Sequence, residues 1–265
     1  MEKSLRTLKL GVNIDHVATL RQARYAPMLN SPNAEPCVLA AAHEVEAAGA
    51  DSITVHLRLD RRHIQDRDVF ELKEKIHTKM NLEMGNTQEI LNIALKVKPE
   101  FVCLVPENRR EVTTEGGLNV FNADTSLNRT IDTLRDAGIR VSLFVDPEPK
   151  QIEAAAKTGA EMIELHTGAF ANADVIGGEK ELADLITAAK IGHEAGLQVN
   201  AGHGITVPNL VRLMQVSHMA ELNIGHHLVA RGLFSGVGNA VREMLSLMSS
   251  YDEIQCALSA ESSST

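Results

Sequence analysis

The chain has 265 residues, 44% of them hydrophobic, and a formal net charge of −9. That is enough core for one sizeable domain, and with no basic run on an acidic chain, nucleic acid is not an expected partner. Residues 1–6 carry no apolar segment of the signal-peptide kind and no later run is apolar enough to span a bilayer, so the expectation is a cytoplasmic protein that does not engage membranes.

Apolar runs of strand length alternate with amphipathic stretches along the chain. Residues 8–15 form the first candidate strand. A long loop over 24–35, with Pro27, Pro32 and several asparagines, is expected after it. The helix 37–48 leads to a second strand, 52–58, and a third follows at 79–85. Helix 87–97 precedes strand 101–107. The polar stretch 108–117, with paired glycines, suits a lid that closes over substrate. The alternation continues through helix 128–137, strand 140–146, helix 151–157 and strand 162–168. A loop around 171–178, helix 181–195 and strands 198–204 and 221–226 complete it. A weak repeat, Ala48-Gly49-Ala50-Asp51, Ala137-Gly138-Ile139, Thr158-Gly159-Ala160 and Ala195-Gly196-Leu197, marks the turns from helix to strand.

Strict alternation predicts a parallel sheet with helices outside it, and eight strands predict closure into a single TIM (β/α)8 barrel. A doubly wound open sheet is the alternative. The region from about 252, and residues 259–265 above all, reads as a flexible tail. Cys37, Cys103 and Cys256 are widely spaced and read as buried, inert thiols rather than disulfide or zinc ligands.

Each strand-like run ends in a polar cluster, and parallel strands would gather these clusters on one rim, the catalytic face of such a barrel. Gly202-His203-Gly204 and Gly225-His226 close the last two strands, where backbone N–H groups and a helix start can hold a phosphate; glycines also serve ordinary turns. Arg24, Arg58 and His63 add cations, so more than one phosphate is expected. His56, Glu83, Glu164 and His203 are the acid–base candidates, since a carboxyl shielded in a barrel mouth gains proton affinity and imidazole titrates near neutrality. No His-x-His ends the first strand and no lysine stands at the strand ends, which argues against binuclear metal and Schiff-base catalysis. Neither a metal nor a cofactor is expected.

Six ordered motifs resemble the pyridoxine 5'-phosphate synthase family between about residues 8 and 248. They are Gly11-Val12-Asn13-Ile14-Asp15-His16 with Thr19-Leu20-Arg21 and Arg24; Ile53-Thr54-Val55-His56-Leu57-Arg58 with Asp60-Arg61-Arg62-His63-Ile64; Met80-Asn81-Leu82-Glu83-Met84; Leu104-Val105-Pro106-Glu107 with Glu111-Val112-Thr113-Thr114-Glu115-Gly116-Gly117; Asn200-Ala201-Gly202-His203-Gly204; and Glu221-Leu222-Asn223-Ile224-Gly225-His226. The resemblance implies condensation of 1-deoxy-D-xylulose 5-phosphate with 3-amino-2-oxopropyl phosphate to pyridoxine 5'-phosphate, phosphate and water, the last step of a vitamin B6 route. It implies His56 and Glu83 as proton acceptors, His203 as proton donor and Glu164 as a charge-stabilising residue. It further implies contacts to the amino-ketone phosphate by Asn13, Arg24, Gly204, Gly225 and His226. Contacts to the deoxyxylulose phosphate would come from Asp15, His16, Arg58, His63 and Thr113. It also implies an octamer of identical barrels.

The chain departs from the family in a longer connection over 25–35 and in His227, expected to point away from substrate as the neighbour of His226 on a strand. Another phosphosugar isomerase or lyase would use the same rim with one substrate. A non-catalytic phosphometabolite-binding barrel would need the arginines and glycines but not Glu83 or His203.

Overall fold

The computed structural model of the chain describes residues 7–28, 30–107, 116–173 and 178–262. Eight strands, β1 (Lys9–Asn13), β2 (Ser52–His56), β3 (Lys79–Met84), β4 (Phe101–Leu104), β5 (Arg140–Val145), β6 (Met162–His166), β7 (Gln198–Gly202) and β8 (Met219–Ile224), pair in chain order. All pairings are parallel, and β8 returns to β1 with Leu222 opposite Leu10, so the sheet closes into a barrel and the open-sheet alternative falls. Outside it run α1 (Asp15–Tyr25), α2 (Val38–Ala48), α3 (Asp66–Lys75), α4 (Gln88–Val97), α5 (Thr125–Asp136), α6 (Pro149–Ala155) and α7 (Gly168–Asn172). They are followed by α8 (Glu179–Glu194), α9 (Val207–Leu213), α10 (His226–Ser235), α11 (Val237–Met248) and α12 (Tyr251–Ser262).

Period-two alternation in the strands builds the barrel. Leu10, Val12, Ile53, Val55, Leu82, Val102, Leu143, Ile163, Val199 and Leu222 are fully shielded and supply the apolar layer beneath the helices. Each such side chain contributes roughly 1.5–3 kcal/mol when buried. The alternate positions face inward and are largely polar. Ser52 donates to Glu221 Oε1 at 2.8 Å, Thr54 donates to Asn223 Oδ1 at 3.0 Å, and the Asn223 amide donates to Glu164 Oε2 at 2.7 Å. Most TIM barrels fill this space with branched aliphatic residues; here a hydrogen-bonded network occupies it and rises into the mouth.

Several expectations are corrected. The stretch after β1 is helical through Tyr25, continues as a 3-10 turn over Ala26–Met28, and only then enters the connection to α2. Its buried face was disguised because Arg21 belongs to it, paired with Asp68 of α3 through two hydrogen bonds of 2.8 and 2.7 Å. The tail is helical to Ser262, with the Tyr251 hydroxyl tucked inside, donating to the Val216 carbonyl at 3.0 Å. Cys103 alone is buried, while Cys37 and Cys256 are exposed. No described helix is long and apolar enough to cross a membrane.

Candidate active site

A cavity of about 420 Å³ opens at the C-terminal ends of the strands, lined by Asn13, Asp15, His16, His56, Arg58, His63, Glu83, Glu164, His203, Gly204, Gly225 and His226, with Thr19, Arg62, Val105, Phe144 and Asn223 completing the wall. Thirteen of the fourteen expected site residues fall on described parts of the chain, and all but Arg24 meet here. Thr113 and most of the expected lid over 108–117 lie outside the described residues. Arg24 sits in the last turn of α1, exposed, with its guanidinium 5.6 Å from the Tyr25 ring centre. Nine helical steps separate it from Asp15 at the cavity, about 14 Å along the axis, because α1 runs without a break from Asp15 to Tyr25.

The carboxyls form the floor. Asp15 opens α1, and its Oδ1 accepts the His56 backbone N–H at 2.8 Å while Oδ2 accepts the Asn13 amide at 2.9 Å. Asn13 returns the contact, accepting the Asp15 N–H at 2.9 Å, so the two residues pin the turn from strand to helix. Glu83 stands opposite His56 in the β2–β3 register, with Oε2 3.8 Å from His56 Nδ1. Burial, then the charges of Glu164 and Asp15, raise its pKa well above the usual carboxyl range. Glu164 is pushed up to about 8, first by burial and then by Glu221, against the opposing hydrogen bond from Asn223. Gly202 on β7 pairs with His166, two residues along from Glu164's partner Asn200, and a Cβ on it would lie 2.1 Å from Glu164 Oε1, so glycine there leaves the carboxyl its place.

Asp15, His56 and Glu83 place ligand-type atoms within 4.8 Å of one another, close enough to share a cation. Both Asp15 oxygens already accept hydrogen bonds, from the His56 backbone N–H and the Asn13 amide.

Imidazoles and arginines form the rim. His16 and His226 meet edge to face at 5.1 Å, each in the first turn of a helix that begins at the cavity. Gly225 caps α10 and lines the same cavity as Gly204, so the N-terminus of α10 opens onto it, an arrangement suited to an anion. Arg58 and His63 lie on the β2 side, both buried. Burial lowers the pKa of His16 and His63. His203 is driven down to about 4, by burial first and then by His166 and His16. His227 does point away, but for a different reason from the one expected: it lies in α10, and its Nε2 accepts the Val207 N–H at 3.2 Å at the start of α9.

A model of the family described as "Pyridoxal phosphate biosynthesis protein PdxJ" matches residues 10–250. The chain belongs to this family. A pyridoxine 5'-phosphate synthase from Akkermansia muciniphila is 56% identical over 236 residues, covering 89% of this chain and 96% of that protein. One from Thioalkalivibrio sulfidiphilus is 51% identical, covering 91% of this chain and 96% of its own length. Among solved structures, orotidine 5'-monophosphate decarboxylase from Methanocaldococcus jannaschii aligns with a TM-score of 0.61 at 12% identity, over 91% of this chain and 99% of that one. That likeness carries the barrel fold alone.

Glu107 ends the motif Leu104-Val105-Pro106-Glu107. It follows β4, and its Oε1 lies 3.2 Å from His56 Nε2 while backbone N–H groups of Gly85 and Leu59 donate to its two oxygens, each at 3.2 Å. Burial opposes its ionisation, yet these hydrogen bonds prevail and hold its pKa below the usual range. An ionised Glu107 only accepts, so His56 carries its proton on Nε2 and turns the Nδ1 lone pair toward Glu83. Its place at a strand end was legible; its direction toward His56 was not.

Proposed function

We infer that this protein is the ring-closing enzyme for which its relatives are named, condensing 1-deoxy-D-xylulose 5-phosphate with 3-amino-2-oxopropyl phosphate to pyridoxine 5'-phosphate. The observation that carries the reading is the vertical order of the cavity: proton-holding carboxyls below, and anion-binding groups on two sides above. Arg58 and His63 fit one phosphate, and Gly204 with Gly225 and His226 fits the other. The organic ends of both substrates then meet over Glu83, His56 and Glu164.

Imine formation, phosphate elimination and ring closure all require protons to be taken and returned. His56, with Nε2 held by Glu107, takes a proton from the substrate at Nδ1; Glu83 gives its own proton to the substrate and is reprotonated by His56, 3.8 Å away. Burial raises the proton affinity of both Glu83 and Glu164, the latter to about 8, so the floor can hold and return protons during the reaction. Burial drives the His203 pKa down to about 4, and a phosphate dianion bound near it favours its imidazolium, so substrate binding arms the donor. Asn13, Asp15 and His16 orient the substrates from the start of α1.

Assembly as a homo-octamer and a cytoplasmic location belong to the same proposal. Arg24 then serves the amino-ketone phosphate only from a placement other than the exposed one described. The decisive assay supplies both substrates together and each alone. Pyridoxine 5'-phosphate formed only from the pair supports the reading; turnover of either by itself would replace it with an isomerase or lyase.

A further inference from the structure

Two polar side chains behind the cavity wall have no task in that reaction. His166 ends β6 two residues beyond Glu164, and Asp146 directly follows β5. His166 Nδ1 lies 3.0 Å from Asp146 Oδ1, which also accepts the Gly117 N–H at 2.9 Å. The His166 hydrogen bond is the leading cause that lowers the Asp146 pKa, against burial. A carboxylate accepts only, so Nδ1 of His166 carries the proton and its tautomer is fixed.

The His166 ring is held between two others. Phe144 packs on one side with centroids 5.2 Å apart, and His203 meets it edge to face at 5.1 Å and 62°. Nε2 faces Gly168, where a Cβ would come within 2.4 Å, so this ring position depends on glycine there. His203 needs such support because its backbone has φ of 79°, in the left-handed region a side-chain-bearing residue enters at a cost on the order of 1 kcal/mol. Thr167, next in the chain to His166, donates its hydroxyl to the carbonyls of His203 and Gly202. One dipeptide therefore holds both halves of His203: Thr167 its backbone and His166 its ring.

We propose that Asp146 and His166 are the positioning pair for His203, the carboxylate fixing the plane and tautomer of His166 and His166 fixing where the His203 nitrogens meet the substrate. The inference rests on reading His203 as the proton-transfer histidine of the cavity. His166 is not among the described residues that line the cavity, and it reaches the site through the His203 ring.

The test compares His166→Phe, which keeps an aromatic ring, Asp146→Asn, which keeps the shape, and His203→Gln. Turnover and KM for both substrates are measured alongside NMR titration of the histidine ring carbons and a thermal melt of each variant. Expected are a kcat loss of about ten- to hundredfold in both His166→Phe and Asp146→Asn with KM changed less than about threefold. The His203 titration should also move to higher pH in His166→Phe, since one of the groups depressing it is gone while His16 remains. Wild-type kcat and an unmoved His203 titration in both variants, with His203→Gln inactive, would overturn the positioning role alone. A kcat loss matched by the loss of folded protein would do the same. Full turnover by His203→Gln would overturn the reading of His203 itself, and the positioning role with it.

Discussion

Replacing Glu164 by Gln should make the protein more stable and less active, with the gain in stability growing as pH rises. Glu164 is 3% exposed and its pKa is pushed up to about 8 from an ordinary 4.5. Below the ordinary value, folded and unfolded chains both hold the proton and the carboxyl makes no difference. Between the two values the unfolded chain releases it and the folded chain does not, so the folded state binds more protons and stability falls with rising pH. Each unit of that window is worth about 1.4 kcal/mol, so the wild-type protein gives up on the order of 3–5 kcal/mol by about pH 8. Gln does not titrate, and its side-chain carbonyl still accepts the Asn223 amide that Glu164 Oε2 accepts at 2.7 Å. Urea unfolding at fixed protein concentration, at about pH 5 and about pH 8, should give nearly equal stabilities for the two proteins at the lower pH and a gap of a few kcal/mol at the higher. Turnover should fall in the same variant. Stability curves that stay parallel across this range would refute the argument that burial holds a proton on Glu164.

Glu83→Gln should fold normally and lose roughly two to four decades of kcat, read in the two-substrate assay; near-normal turnover would remove it from proton transfer. Arg58→Ala should remove charge-assisted hydrogen bonds worth about 1.5–3 kcal/mol and weaken the deoxyxylulose phosphate about tenfold or more, measured by calorimetry, leaving the second phosphate nearly unaffected. Glu107→Gln should lower kcat with little change in KM, because an amide can offer His56 either a donor or an acceptor and no longer dictates its tautomer. Gly202→Ala should destabilise the fold by about 1–3 kcal/mol in a denaturant titration, since its Cβ would lie 2.1 Å from Glu164 Oε1.

The alternation in Ile53-Thr54-Val55-His56, Leu82-Glu83 and Ile163-Glu164-Leu165-His166 was enough to determine strands with one apolar and one polar face, and the regular return of helices between them determined a parallel barrel. The rim followed, because residues at the C-terminal ends of parallel strands meet wherever those strands close. His56, Glu83, Glu164, His203, Gly204 and Gly225 were legible on that basis alone. Local pattern could not reveal α1, where the buried face includes an arginine that is tolerable only because Asp68, 47 residues onward, neutralises it. Nor did it place Arg24 away from the cavity, since that depended on the length of α1, whose last turn carries it. The polar strand positions were read as a rim; closure of the barrel brought Ser52 to Glu221, across 169 residues of chain, and turned them into a network through the interior. The proton affinities of Glu164 and His203 and the pairings of Glu107 with His56 and Asp146 with His166 were decided by tertiary structure, because burial and hydrogen-bond direction depend on which strands become neighbours and not on which residues adjoin in sequence.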